Sequence, residues 1–518
     1  MKKSIIVYVL IIITLILTGC NKYLGRTDSV DSDTEANDST PVSLEDKGPS
    51  QGGILNLFMY KPDTLNPIYT KNKTVKHLSL FVFDPLICES KDEELKNCLV
   101  ENHTASEDGL TYDFELKDNI YFHDRQGLKA EDAVFTIEEI IKAGDKSPYS
   151  NNVSNIESVT AVDRLRFRII LKEPDQDFLR KLNFPVLPEH VFKDWPIEGH
   201  NDKLKLVGTG PFTYDSFNEN EILLLRNDSY WNVNRPEGIQ HPIWLDGIRF
   251  KIYLNESDMM IAFQKKEIDI AYFEVGNLSA YSQRSDIFYN EFESNVIEFL
   301  VLSPQGKNQG ALNSPISRED FRKAIIEYLC WYSEESPLES ERVSLNAIFS
   351  MDVGQKKTDR SGTIAALESA GFKYQKDKNV LAYTRNGIEH QVVLSLLHNG
   401  IDENRVLFSD WITRALMEIG IKAIPENASY EMLQQAAANG KFDMMLLGCR
   451  FPMSNARSEL AELIKDSLNI SGQNYVLLPL YRKNGVVLYN INVRGPREPI
   501  WNNVYNGWQD WYLVQSQS

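Results

Sequence analysis

The sequence predicts an α/β chain, and three observations carry that prediction. First, between Ser106 and Lys142 the apolar period changes. Leu110, Tyr112, Phe114 and Leu116 alternate with polar residues, as in a half-buried strand, whereas Ala133, Val134, Ile137, Ile140 and Ile141 fall at helical spacing. Second, Leu245–Ile252, Asp258–Gln264 and Glu267–Phe273 read as strand, helix and strand. Third, helical and strand patterns keep alternating from about Asn295 onward, the order from which an α/β layer architecture is argued.

The chain has 518 residues, enough for two or three domains, with the 42% apolar and 25% charged composition of a globular protein. The N-terminus differs. Lys2 and Lys3 precede an apolar run from Ile5 to Leu17, closed by Leu17-Thr18-Gly19-Cys20. A basic start, a short apolar stretch and small residues before the cut describe a secretory signal over residues 1–19. A cysteine directly after Leu-Thr-Gly is similar to the lipobox of bacterial lipoproteins, which implies that Cys20 becomes the lipidated first residue. Residues 20–51, with Asp28, Asp31, Asp33, Glu35, Asp38, Glu45 and Asp46 among Ser, Thr, Asn and Pro, predict a disordered acidic tether.

The net charge of −18, which becomes −20 once Lys2 and Lys3 are removed, argues against nucleic acid as a partner. It also argues against charge-driven binding to an anionic membrane, leaving the lipid as the anchor. Cys88 and Cys98 flank two short strands joined by a charged turn, a geometry open either to a disulfide or to two free thiols. Cys330 and Cys449 lie in apolar settings that predict core packing, and no Cys/His spacing reads as a metal site.

Taken in order, Ile54–Phe58 is a strand leading to the polar loop Lys61–Pro67, and His77–Leu86 a helix. Asp108-Gly109 makes a turn into the alternating strand, and Asp118-Asn119 a second turn after which Ile120–Phe122 starts another strand. Glu131 and Asp132 mark the start of the next helix, where carboxylates suit the dipole, although Lys129 holds the cap position. Ile156–Val162 and Leu165–Leu171 form an antiparallel pair, and Phe178–Leu182 a short helix. Val207-Gly-Thr-Gly-Pro-Phe212 lacks the third glycine and the helix start of a dinucleotide loop, so it reads as the entrance to a hairpin, Phe212–Phe217 and Glu221–Arg226. The later blocks are helices at Asp320–Leu329, Thr363–Ala370, Arg405–Ile419 and Tyr430–Ala438, with strands at Val392–Leu397 and Phe442–Gly448.

Four separated stretches carry a resemblance. GGILNLFMYKPDTLNP, SEDGLTYDFELKDNIYFHD…LKAEDAVFTIE, GTGPF…LLLRNDSYW and the C-terminal LPLYRKNGVVLYNINVRGPREPIWNNVYNGWQDWYLV resemble, in the right order, bacterial family 5 extracellular solute-binding proteins. These are the oligopeptide-, dipeptide- and nickel-binding receptors of ABC importers. Three departures are visible: Arg125 replaces a usual turn glycine, Lys129 a usual Ser or Thr cap, and Asp228 a usual proline. The resemblance implies a two-lobed, type II periplasmic-binding-protein-like fold. Residues 52–80, 206–290 and 486–518 would form the first lobe, 81–205 its inserted α+β subdomain and 291–485 the second lobe, with ligand enclosed on closure.

The resemblance further implies a monomeric, lipid-anchored receptor on the outer face of the cytoplasmic membrane that hands a small solute, with peptide favoured, to ABC permease subunits. It implies no cofactor and no catalysis, and no GxSxG, HExxH or GxxxxGK[ST] motif occurs. Candidate ligand contacts are Asp63, Thr64 and Asn66 in the first polar loop, Phe273 and Glu274 at a strand end, His398 and Asn399, and Arg450 and Phe451. Each has a plainer alternative as a turn, core or solvated residue. Where peptide binders often carry an aspartate soon after the strand glycine, this chain reads GCRFPMSNARSEL, with no acid before Glu459. Amine recognition therefore falls to Glu274 or is absent, and a receptor fold that has lost transport is the alternative reading.

Overall fold

The computed structural model describes residues 46–89, 94–195, 205–233, 238–273, 281–307, 314–335, 357–400, 402–450 and 477–514. Two compact units divide the chain: one comprises Asn37–Ser294 and Asn484–Ser518, and the other includes Asn295–Lys483. Cys20 and the rest of the N-terminal segment lie outside the described residues, as do Glu274 and Phe451. Ordered contacts begin before Gly52: the Asp46 carboxylate accepts from the Tyr512 hydroxyl at 3.0 Å and pairs with Arg494 at 3.2 Å.

In the first unit, β1 (Ile54–Tyr60) is followed by α1 (Lys73–Val82). This helix starts and stops earlier than the apolar pattern predicts. Asn72 caps it by accepting from Thr74 N, and Pro85 disfavours helix in the residue before it. The short pair β2 (Ile87–Glu89) and β3 (Leu95–Asn97) carries a disulfide between Cys88 and Cys98, with Cα atoms 6.0 Å apart. A four-stranded antiparallel sheet follows, in the order β4 (Val100–Ala105), β5 (Thr111–Leu116), β7 (Arg166–Leu171) and β6 (Ile156–Ala161). The helix α2 (Ala130–Ala143) connects β5 to β6 and packs on β6 and β7.

Residues 120–122 are not a strand. Ile120 and Phe122 are buried, but Tyr121 only bridges to Gly127 around a tight turn, and β5 pairs with β4 and β7 instead. Arg125 stands in that turn at φ +71°, the left-handed backbone for which glycine is suited. At the start of α2 the cap works in reverse. Lys129 offers no acceptor, and the Asp132 carboxylate takes the Lys129 and Glu189 N–H groups at 2.9 and 3.0 Å.

The remaining sheet of this unit has the order β1, β10 (Gly247–Tyr253), β9 (Glu221–Arg226), β8 (Phe212–Phe217), with β1 and β10 parallel and the rest antiparallel. The helix α3 (Glu256–Gln264) then leads to β11 (Ile270–Phe273). The stretch from Gly208 to Trp231 is built around one buried carboxylate. Asp84 accepts from the Thr209 hydroxyl at 2.9 Å, the Tyr230 hydroxyl at 2.8 Å and the Trp231 indole at 2.8 Å. Gly208 and Gly210 press on the end of α1, where a Cβ on Gly208 would lie 1.9 Å from the Val82 carbonyl oxygen. Close backbone approach, not phosphate binding, is what those glycines serve.

The strand β12 (Ile287–Leu302) leaves the first unit for the second. There α4 (Glu319–Glu335), longer than its apolar stripe predicts because Tyr332 and Ser333 are also buried, precedes α5 (Arg360–Ser369). A small antiparallel sheet follows, β13 (Lys373–Gln375), β14 (Val380–Arg385) and β15 (Ile388–Gln391). The main sheet of this unit uses β16 (Val393–His398), α6 (Glu403–Glu418), β17 (Lys422–Asn427), α7 (Tyr430–Asn439) and β18 (Met444–Arg450). Here β16 runs parallel to both β17 and β18, and β12 runs antiparallel to β18. Cys330 is buried in the apolar cluster of this unit. The strand β19 (Leu477–Asn490) returns the chain to the first unit, where its Val486–Tyr489 stretch pairs with β11 and the short strands β20 (Val493–Arg494) and β21 (Tyr512–Leu513) pair with each other. Both units are thus α/β, each with its own buried apolar cluster.

Candidate functional site

Ligands of α/β sheets are bound beyond the carboxyl ends of parallel strands, because loops and helix N-termini gather there. In the second unit β16 and β17 end side by side at His398 and Asn427, which are in register. The Asn427 side chain accepts from Gly400 N at 2.8 Å, fixing the turn that leads from β16 into α6. Asp402 caps that helix, its Oδ1 accepting from Asn404 N at 3.1 Å and Arg405 N at 3.3 Å. An acidic cap suits the positive end of the helix dipole.

The other Asp402 oxygen belongs to a buried ionic cluster. Arg405, one turn into α6, grips Glu298 of β12 with both arms, Nε to Oε2 at 3.0 Å and Nη2 to Oε1 at 2.9 Å. Lys483 of β19 reaches the same Glu298 oxygen at 2.9 Å and also bonds Asp402 Oδ2. Glu298 is only 1% exposed. Two carboxylates thus face two cations, and no charge of the four is left open. Burial pushes the Asp402 carboxyl up, but Lys483 and then Arg405 outweigh it and hold the group below the usual range. Gly448, opposite Glu298 on β18, has no room for a side chain, since a Cβ would sit 2.4 Å from Glu298 Oε1.

His398 is 7% exposed, and its Nδ1 has no partner among the described residues. Burial, more than the opposing carboxylate of Asp410, lowers its imidazole below the usual range, and the Arg405 charge adds to that. The ring is therefore neutral at physiological pH and can accept or donate one hydrogen bond. Asn399 follows at the strand end, half-buried, and β18 ends in Arg450. His398, Asn399 and the end of β18 thus lie at one edge of this sheet.

In the first unit, the loop after β1 holds itself together. Asp63 accepts from Thr64 N, the Thr70 hydroxyl and Lys71 N at 2.9, 2.6 and 2.8 Å. The Thr64 hydroxyl accepts from Asn66 N, and Asn66 Oδ1 accepts from Ile68 N. Thr64 and Asn66 are buried, whereas Asp63 is exposed. Phe273 ends β11, buried and in register with Val486. Sequence reasoning singled out these loops but missed Glu298, Asp402, Arg405 and Lys483. Only Asp402, an acid directly before a helical pattern, carried a readable signal.

Comparison with known proteins gives the arrangement its context. The family described as bacterial extracellular solute-binding proteins, family 5 (middle), matches residues 94–327. The chain is 23% identical over 423 residues to the oligopeptide-binding protein AppA of Bacillus subtilis, covering 77% of this chain and 74% of that one. Over 400 residues it is 23% identical to the nickel-binding periplasmic protein of Escherichia coli, covering 74% and 72%. The crystal structure of the ABC transporter substrate-binding protein CtaP from Listeria monocytogenes shares the fold, with a TM-score of 0.64 at 18% identity, over 90% of this chain and all of that one. With the two α/β units and the ordered sequence signatures, these matches show that the chain is similar to the family 5 extracellular solute-binding proteins over residues 94–327 and shares the fold of an ABC transporter substrate-binding protein.

Proposed function

We propose that the chain is the lipid-anchored solute receptor of an ABC importer, with an oligopeptide as its solute. The observation that carries the peptide reading is the internally neutralised sheet edge of the second unit. Glu298, Asp402, Arg405 and Lys483 satisfy one another, so a ligand there meets fixed dipoles, not open charge. Main-chain amides, which are polar and uncharged, suit such a surface, much as an added strand suits a sheet edge. The relatives include an oligopeptide binder and a nickel binder, and among the described residues no group of His, Cys, Asp and Glu could hold a metal ion.

On this reading His398, Asn399, Arg450, Phe451, the Asp63–Asn66 loop with Thr64, and Phe273 are the peptide contacts, and Glu274 supplies the carboxylate for the α-amino group. Cys20 carries the lipid, which places the receptor on the outer face of the cytoplasmic membrane. Calorimetry with pools of peptides of defined length tests the ligand class. Binding is expected, with a loss of at least about a hundredfold in Glu274→Ala, because removing a carboxylate from a buried ammonium costs about 3–5 kcal/mol. Wild type that binds no peptide pool overturns the reading. Cys20→Ser is expected to leave the membrane fraction or to remain unprocessed, and a variant that fractionates like wild type removes the anchor.

A further inference from the structure

Phe288, near the start of β12, carries two guanidinium groups on its ring. The Arg497 Cζ lies 3.6 Å from the ring centroid and the Arg494 Cζ 5.4 Å. Their charges are answered unequally. Arg494 holds Asp46 through Nε at 3.2 Å, yet its Nη1 is buried with no partner. Arg497 is half-buried, and among the described residues no carboxylate lies within ion-pair distance of it; its guanidinium makes one hydrogen bond, a long contact to the Val493 carbonyl at 3.5 Å, while its backbone carbonyl accepts from the Asn290 side chain at 3.0 Å. Burial first, and the neighbouring Arg494 charge as well, lower the Arg497 pKa, while the nearby Tyr489 opposes this. The Tyr489 side chain is fully buried, and its hydroxyl is also unpartnered.

Two cations share one ring, a single carboxylate pairs with Arg494 alone, and the buried Tyr489 hydroxyl is also unpartnered, which together form an uncompensated arrangement. Burying a charge without a partner is unfavourable, so native structures rarely leave it so. Burial of this kind stands out in a chain whose net charge is −18. The guanidinium fork matches an oxyanion in two hydrogen bonds, and a tyrosine hydroxyl can donate a third.

We infer that Arg494, Arg497 and Tyr489 form a second binding site, for a small oxyanion such as phosphate or a carboxylate, on the Phe288 side of the first unit. The site uses none of the residues assigned to the peptide, so its test is independent of that reading. The oxyanion would accept from Arg494 Nη1, the Arg497 guanidinium and the Tyr489 hydroxyl, and would balance the charge that Asp46 leaves over. Occupancy would also tie the β19–β20 turn to the point where the N-terminal segment joins the folded body.

The test is calorimetry on the full chain with inorganic phosphate and, separately, acetate, at an ionic strength held constant with chloride. Saturable binding is expected for at least one anion, weakened at least about tenfold in Arg497→Gln and in Tyr489→Phe. An exposed control, Arg168→Gln, should bind like wild type. Far-UV circular dichroism checks that each variant is folded, and Arg497→Lys, which keeps the charge but not the fork, should fall between wild type and Arg497→Gln. The inference is overturned if neither anion binds, or if the Arg497→Gln and Tyr489→Phe proteins bind as wild type does.

Discussion

Replacing Glu298 by alanine is the sharpest perturbation the second unit offers. Its carboxylate accepts three charged donors, two from Arg405 at 3.0 and 2.9 Å and one from Lys483 at 2.9 Å, at 1% exposure. After truncation Lys483 keeps Asp402, but the Arg405 guanidinium keeps only a 3.8 Å contact to that residue. Stranding one partner of a buried pair costs about 3–5 kcal/mol. The mutation should cost that amount in urea unfolding, and because the chain has two units, the loss should fall on one transition and leave any other in place.

Acid supplies a second readout. The folded carboxyl of Asp402 is held below its unfolded value of about 4, so its contribution is complete above that pH. It is lost as pH falls through the lowered folded value. Wild-type stability of this unit should therefore be insensitive to Asp402 above about pH 4 and fall below it. A Glu298→Ala protein within about 1 kcal/mol of wild type would refute the reasoning, since the cluster would then be no more than a surface-type pair.

Further outcomes follow from the first unit. Arg125→Gly should raise stability by about 0.5–1 kcal/mol: a left-handed non-glycine costs about 1–2 kcal/mol, and glycine's extra unfolded-state entropy returns part of the gain. The unfolding midpoint checks it. Gly208→Ala should lose about 3 kcal/mol or fail to fold, because the new Cβ meets a backbone carbonyl that cannot move without bending α1. Reducing the Cys88–Cys98 bond, or Cys98→Ser, should cost about 2–3 kcal/mol for a loop with a sequence separation of 10, read as a lower midpoint of thermal unfolding.

Much of the fold was legible because it is local. The hairpins β6–β7 and β8–β9 lie where alternation and turn residues put them, and α6 runs from the acidic cap to the glycine at 420. Residues 120–122 misled because burial of Ile120 and Phe122 mimics a strand, while the pairing partner of β5 lies at Arg166–Ile170, across the intervening helix. The sheet edge of the second unit was partly visible: His398-Asn399 follows an apolar run, as strand ends do. Its ionic cluster was not, since Glu298 and Arg405 are 107 positions apart and only the β12–β18–β16 pairing brings them together. Asp84 was silent for the same reason, its donors lying 125 to 147 positions away.

Mass spectrometry of small molecules released from the purified, never-denatured protein tests the central claim most directly. A solute receptor with peptide as its ligand should release a series of short peptides in near-stoichiometric total amount, and the series should disappear when the protein is unfolded and refolded before release. A protein that releases no small molecule, and binds none of the peptide pools offered after refolding, would contradict it.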